Sequence, residues 1–200
     1  ELSNGGNLTT IAVSDTSIAA DTLATRIDSY DTINAGGTTN MTLASGATIL
    51  VASTEITHML ADETASRLTI SDQKITVDSG TISAATANLL AATTTGVVTA
   101  DITTTERITA LDDLTADGGT NALTIVIAGA DATACTAAQL NTVNSATSVA
   151  VNATAVTGLA SDTISNIKTL LTAGNDVNQF TATSFGSLAT AVAVSYTHLR

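Results

Sequence analysis

Hydrophobic positions along this chain follow two alternating rhythms. Short runs rich in β-branched residues predict strands over 8–13, 41–44, 48–52, 74–77, 97–100, 122–128, 148–151 and 177–182. Between them lie Ala/Leu stretches at helical spacing, which predict helices over 18–28, 55–65, 84–93, 104–111, 137–145, 160–171 and 185–192. Leu23, Ile27 and Tyr30 form one helical stripe, and Ile164, Ile167 and Leu171 another. Leu23, Ile27, Leu89, Ile108, Leu140, Val143, Ile164 and Ile167 are the residues expected to face a sheet. Helix starts carry capping chemistry. Thr103-Thr-Thr-Glu106 reads as a capping box, while Asp15-Thr16-Ser17 and Ser161-Asp162 can satisfy first-turn amides. Gly36-Gly37, Gly96, Gly118-Gly119 and Gly174 follow predicted helices, where a left-handed residue would end them.

The pattern also returns. Val13-Ser-Asp-Thr-Ser-Ile-Ala-Ala-Asp-Thr-Leu23 comes back as Val77-Asp-Ser-Gly-Thr-Ile-Ser-Ala-Ala-Thr-Ala-Asn-Leu89, and more loosely from Ile127 to Leu140. Arg26-Ile27 followed by Ile33-Asn-Ala-Gly-Gly-Thr38 reappears as Arg107-Ile108 followed by Leu114-Thr-Ala-Asp-Gly-Gly-Thr120. Strands beginning near Ile75, Val97, Leu123, Val149 and Val177 start about 22 to 28 residues apart, room for one strand, one short helix and two turns. Strands separated by a helix pair in parallel. The fold expected is therefore an α/β repeat solenoid of strand–helix units, with a parallel sheet on one face and short helices on the other, forming a single repeat domain over 1–194. Leucine-rich repeats have this geometry, but their Leu/Asn signature is absent. An ordinary α/β domain and an all-β helix are the rival folds, and the Ala/Leu stretches speak against the second.

Composition narrows the interior. The chain is 44% hydrophobic but has only 2 Phe, 2 Tyr and no Trp, so its core must be thin layers of Ala, Val, Ile and Leu. Zero Pro fits uniform tight turns and no interdomain linker. With 18 Asp+Glu against 6 Lys+Arg the net charge is −12, and the basic residues are scattered singly, which argues against nucleic acid and against anionic membrane surfaces. No apolar run reaches the ~18 residues that span a bilayer, so no membrane insertion is expected. The one cysteine, Cys135, lies among small apolar residues and reads as a buried structural thiol.

Candidate chemistry is sparse. Asp112, Asp113 and Asp117 precede Gly118-Gly119, and carboxylates beside flexible glycines suit a hard cation such as Ca2+. They are the candidate metal ligands, and Ca2+ is the only cofactor for which the residues offer any case; turn formation is the competing explanation. His58 could share a helix face with Glu55 and Asp62, but a metal site needs more ligands, and a solvated face is expected. No phosphate loop, GxSxG or HExxH occurs, and no catalytic constellation is found, so no enzyme activity is expected.

The Thr/Ala/Asp-rich imperfect repeats with Ser-Asp-Thr-x-x-Ala-Ala-x-x-Leu units over 8–194 resemble repeat regions of very large secreted or cell-surface proteins of marine bacteria and cyanobacteria, some of them calcium-binding or adhesin-like. That resemblance implies an extracellular or cell-surface repeat segment: an adhesin, a surface-layer component or a fibre-like spacer. Its partners would be neighbouring repeats of the same polypeptide and surface glycans or proteins. The alternatives are a Ca2+-dependent binding module and a polysaccharide-active enzyme on a solenoid scaffold. Ice binding would need Thr-x-Thr on every strand, and few strands have it. The chain opens in mid-pattern and reads as a fragment. Ser195-Tyr-Thr-His-Leu-Arg200 departs from everything before it and resembles the translation of a sequencing-adapter read-through, a non-native tail over 195–200. Removing 195–200 is expected to change stability by no more than about 0.5 kcal/mol. Thermal melts of the full and trimmed chains check this, and a large drop in midpoint would show a packed tail.

Overall fold

The protein is described by a computed structural model covering residues 10–33, 40–115 and 120–185. It divides into two compact units, Glu1–Thr81 with Leu89–Ala100, and Ile82–Asn88 with Asp101–Arg200. In the first unit the order strand, turn, strand, helix recurs. β1 (Thr10–Val13) and β2 (Ser17–Ala19) lead into α1 (Ala20–Ile33). β3 (Asn40–Leu43) and β4 (Thr48–Ala52) lead into α2 (Ile56–Thr64). β5 (Leu68–Thr69) and β6 (Lys74–Ser79) precede α3 (Ala84–Thr93), which gives residues to both units, and β7 (Val98–Asp101) follows. The first strands pair in parallel in the order β1-β3-β5, and the second strands in the order β2-β4-β6-β7.

The register explains the β-branched bias. Ile18 lies opposite Ile49, Ile49 opposite Ile75, and Ile75 opposite Val98, and all four are buried. Like residues stack on like, so one shape of side chain fills every layer. Parallel pairing needs a crossover, and α1 and α2 supply it. Leu23 and Ile27 of α1, and Ile56 and Met59 of α2, point inward at helical spacing.

The second unit holds α4 (Ile108–Leu111), β8 (Ala122–Thr124), a 3-10 turn at Gly129–Asp131, α5 (Ala137–Ser145) and α6 (Ile164–Ala173). Its pairing is carried by short parallel bridges, Ile82 with Ile102, Val126 with Asn152 and Val151 with Phe180, and Ile102 N donates to Thr124 O at 3.0 Å. α4 packs on α5 and α5 on α6. Leu123, Ile125, Ile127, Leu140, Val143 and Leu170 are buried with Phe180, whose ring lies 4.9 Å from that of Phe185.

A mixed α/β chain with parallel sheets is thus present, with differences from the expectation. Two strands precede α1 and α2, not one, because the apolar run before each helix is cut by a turn at 14–16 and at 44–47. Ser17–Ala19 is a strand where a helix is predicted, held by pairing with β4. Leu89 and Ile164 do not face a sheet: they are 53% and 61% exposed. In α3 the buried set is Ala84, Ala87 and Leu90, one residue on from the expected Leu89, since alanine can face the tight side and leave leucine outside. In α6 Leu170 and Ala173 are buried, Ile167 is half-buried and Leu171 is exposed, so the predicted Ile164, Ile167, Leu171 stripe is not the buried one. Thr103-Thr-Thr-Glu106 forms a turn, not a capping box, and the helix starts only at Ile108. The capping box instead joins Thr136 and Gln139. Gly174 ends α6 at φ −65°, not in the left-handed region. Gly96 serves a close approach: a Cβ there would meet the backbone carbonyls of Gln73 and, at 2.7 Å, Asp72. The predicted helix over 185–192 and the Gly36-Gly37 and Gly118-Gly119 turns lie wholly or mainly outside the described residues.

Three buried hydroxyls recur in one role. Thr94 donates to Gln73 O at 2.5 Å and accepts from Gly96 N at 2.9 Å. Thr147 donates to Leu123 O at 2.7 Å and accepts from Leu123 N at 2.9 Å and Val149 N at 3.1 Å. Ser184 accepts from Ala153 N at 3.0 Å and lies 3.4 Å from Val151 O. Each satisfies backbone groups of an earlier segment that no strand pairs. Thr147→Val keeps the shape and removes the hydroxyl, so a loss of about 1–3 kcal/mol is expected for the stranded backbone groups. Thr147→Ser should recover most of it, and urea unfolding of the three proteins reads the difference.

Candidate functional site

The acidic turn after α4 holds the candidate metal ligands. α4 ends at Leu111, so Asp112 is its C-cap, partly exposed, and Asp113 is exposed beside it. Asp117 lies outside the described residues, as do Gly118 and Gly119. The turn is held by an amide: Asn88 Nδ2 donates to Asp113 O and Asn88 Oδ1 accepts from Thr115 N, both at 2.8 Å. Among the described residues no group of three or more His, Cys, Asp or Glu side chains could hold a metal ion.

The other candidates do not converge either. His58 is exposed on α2, while Asp62 is buried and bound by Arg67, with Nε at 3.0 Å and Nη2 at 2.5 Å. The helical spacing of Glu55, His58 and Asp62 therefore brings no shared face. Cys135 is buried, and its thiol donates to Asp131 O at 3.1 Å. Burial, and then the neighbouring Asp131 carboxylate, push its pKa up to about 11, so the thiolate that reactive chemistry needs is scarce at neutral pH.

What the structure does build from acidic residues is a set of caps reaching from one segment to an earlier one. Asp131 is 1% exposed, and its Oδ2 accepts from Ile108 N at 2.8 Å, capping α4. Its Oδ1 accepts from Arg107 Nε at 2.8 Å and Nη2 at 2.6 Å. Asp162 Oδ2 likewise accepts from Ala138 N, in the first turn of α5, at 2.6 Å. Negative charge at a helix N-terminus meets both orphan N–H groups and the positive end of the helix dipole. These partners lie 23 and 24 residues apart in sequence, so local capping patterns do not reveal them. The signal available was a lone carboxylate inside the apolar run Ala128-Gly-Ala-Asp131-Ala-Thr-Ala.

Comparison with protein-family models, curated proteins and solved structures finds no match to this chain. Among the described residues no helix is long and apolar enough to cross a membrane.

The caps generate two tests. Arg107→Ala strands a buried carboxylate, for which a loss of about 3–5 kcal/mol is expected. Asp131→Asn keeps an acceptor for Ile108 N and releases a half-exposed arginine into water, so about 1–2 kcal/mol is expected. Equal losses in denaturant unfolding would contradict this asymmetry. Three carboxyls are held below their usual value of 3.8: Asp162 chiefly by the Asn166 side chain, Asp72 by Ser45, and Asp176 by the Asn178 amide. A depressed folded-state pKa gives stability that is complete above the unfolded value and lost as pH falls through the folded one. The melting midpoint should therefore hold above about pH 5 and fall below about pH 4, with a shallower acid fall in Asp162→Asn.

Proposed function

We propose that this chain is a structural repeat segment of an extracellular or cell-surface protein, a spacer or interaction surface built as an α/β solenoid and without a catalytic step. One observation carries the reading. Every strand pair and bridge among the described residues is parallel, and partners lie between 20 residues (Ile82 and Ile102) and 31 residues (Ser17 and Thr48) apart in the chain. A coil of that length returning alongside its predecessor is the geometry of a solenoid. The buried hydroxyls and capping carboxylates join segments at similar separations, which supports the same reading. The extracellular setting rests on the resemblance of the repeats to those of large surface proteins. In this role each coil's partners are its neighbours, and surface glycans or proteins would meet the exposed faces.

Solenoids have nearly one-dimensional energetics, with each coil answering to its neighbours. In Thr147→Val, amide exchange should quicken at Leu123, Val149 and the bridges near them, while β4 keeps its protection. Uniform quickening throughout the chain would instead indicate one cooperative globular domain. Calorimetric titration with Ca2+, run beside Asp117→Asn, separates the calcium-module alternative. The spacer reading expects only diffuse, salt-screened heat. Saturable binding tighter than about 10 µM that vanishes in the variant would replace it with a calcium-binding role.

A further inference from the structure

α4, α5 and α6 align position by position from their N-caps, Arg107, Thr136 and Thr163. The first position of each is Ile108, Ala137 and Ile164, the fourth is Leu111, Leu140 and Ile167, and the seventh is Leu114, Val143 and Leu170. In the first two series all six residues are buried, none more than 4% exposed. In the third only Leu170 is buried. Ile167 is half-buried, and Ile164 is 61% exposed. The difference has a visible source. α4 is flanked by α5 and α5 by α6, and in each pair the later segment also brings a carboxylate to the first-turn amides of the earlier helix, Asp131 to Ile108 and Asp162 to Ala138. Among the described residues no later carboxylate reaches the first turn of α6. Its outer side is an open groove of Ile164, Ile167, Lys168, Leu171, Thr172 and Asn175.

We propose that this side of α6 is a docking face for a second copy of this chain, which continues the α4–α5–α6 row by laying a helix-bearing coil on Ile164 and Leu171. The inference rests on the repeat reading, since it takes the fit of α5 on α4 as the pattern for the coil that would lie against α6. The occupant is another such coil because the face is made like one: apolar at core positions, with a first turn that lacks the later carboxylate its two predecessors receive. A chain carrying −12 supplies carboxylates readily. That same charge opposes association, so the contact is weak at low salt and strengthens as salt screens the repulsion. An ionic contact would show the reverse dependence.

The test is sedimentation of the full chain, mass 19.9 kDa, over a concentration series at about 0.05 M and about 0.5 M NaCl. Ile164→Glu and Leu171→Glu are run alongside. Both positions are more than half exposed, so far-UV circular dichroism should match the parent, and either variant suffices if the other misfolds. Concentration-dependent association that rises with salt and is weakened about tenfold or more by either substitution is expected. A parent that remains monomeric to about 1 mM at both salt levels overturns the proposal, as do variants that associate as strongly as the parent or an association that falls with salt. Localised amide exchange in Thr147→Val alongside a monomeric parent would retain the repeat reading and reject this docking face alone.

Discussion

A buried backbone amide or carbonyl without a partner costs about as much as a lost hydrogen bond, and turns between short strands leave many of them. In this protein that constraint is met by side chains from later segments. Thr94 reaches the 71–73 turn, Thr147 the 121–123 turn and Ser184 the 151–153 turn, while Asp131 and Asp162 reach the starts of α4 and α5. Pairing by strands alone would not suffice, since β5 has two residues and the later pairs shrink to single bridges. The buried polar residues are therefore a condition for the apolar ones: they fix how far apart successive segments lie, and the core fills what is left.

That spacing accounts for the composition. Segments held this closely leave room for Ala47, Ala84, Ala87, Ala137, Ala146 and Ala153, all at most 2% exposed, and for stacked isoleucines, but little for aromatic rings. Gly96 marks the extreme, where even a methyl group would strike a neighbouring carbonyl. Threonine fits both faces of this arrangement. It is β-branched and suits the ladders. Within helices, Thr25, Thr93, Thr142, Thr169 and Thr172 turn their hydroxyls back to the carbonyl four residues earlier, so a residue of modest helix propensity is accommodated with its polar group satisfied.

How legible this was depended on how local each cause is. Helices over 84–93 and 137–145 and the strand over 48–52 could be read residue for residue, because propensity and period agree there. Ser17–Ala19 could not: its sequence suits a helix start, and only pairing with β4 makes it a strand. Periodicity found the α3 stripe but not its phase, since with Ala84, Ala87, Leu89 and Leu90 nearly every rotation presents an apolar face. The Thr103–Glu106 capping box failed for a related reason. It is a sound local motif, but Asp131 supplies the cap from 23 residues away and Ile108 becomes the first helical residue. Of the candidate site, the turn at Asp112 and Asp113 was visible and the Asn88 side chain that holds it was not, being 25 residues distant.

The same caps bear on why so acidic a chain gathers no ligand cluster among its described residues. A carboxylate becomes a cation ligand when its oxygens are free to converge with others on one point. Here Asp131 accepts from one amide and an arginine, Asp162 from the Ala138 and Thr163 amides and the Asn166 side chain, and Asp176 from Asn178 and Gln179. Asp62 is closed by Arg67. These groups are aimed at donors of the chain itself, spread out as one cap here and one turn there. A repeat architecture distributes them in just this way, because each coil needs its own carboxylate and no single point needs several. Under that reading the negative charge left over at the surface is a diffuse field that keeps copies apart, and an apolar helix face such as that of α6 must overcome it to associate at all.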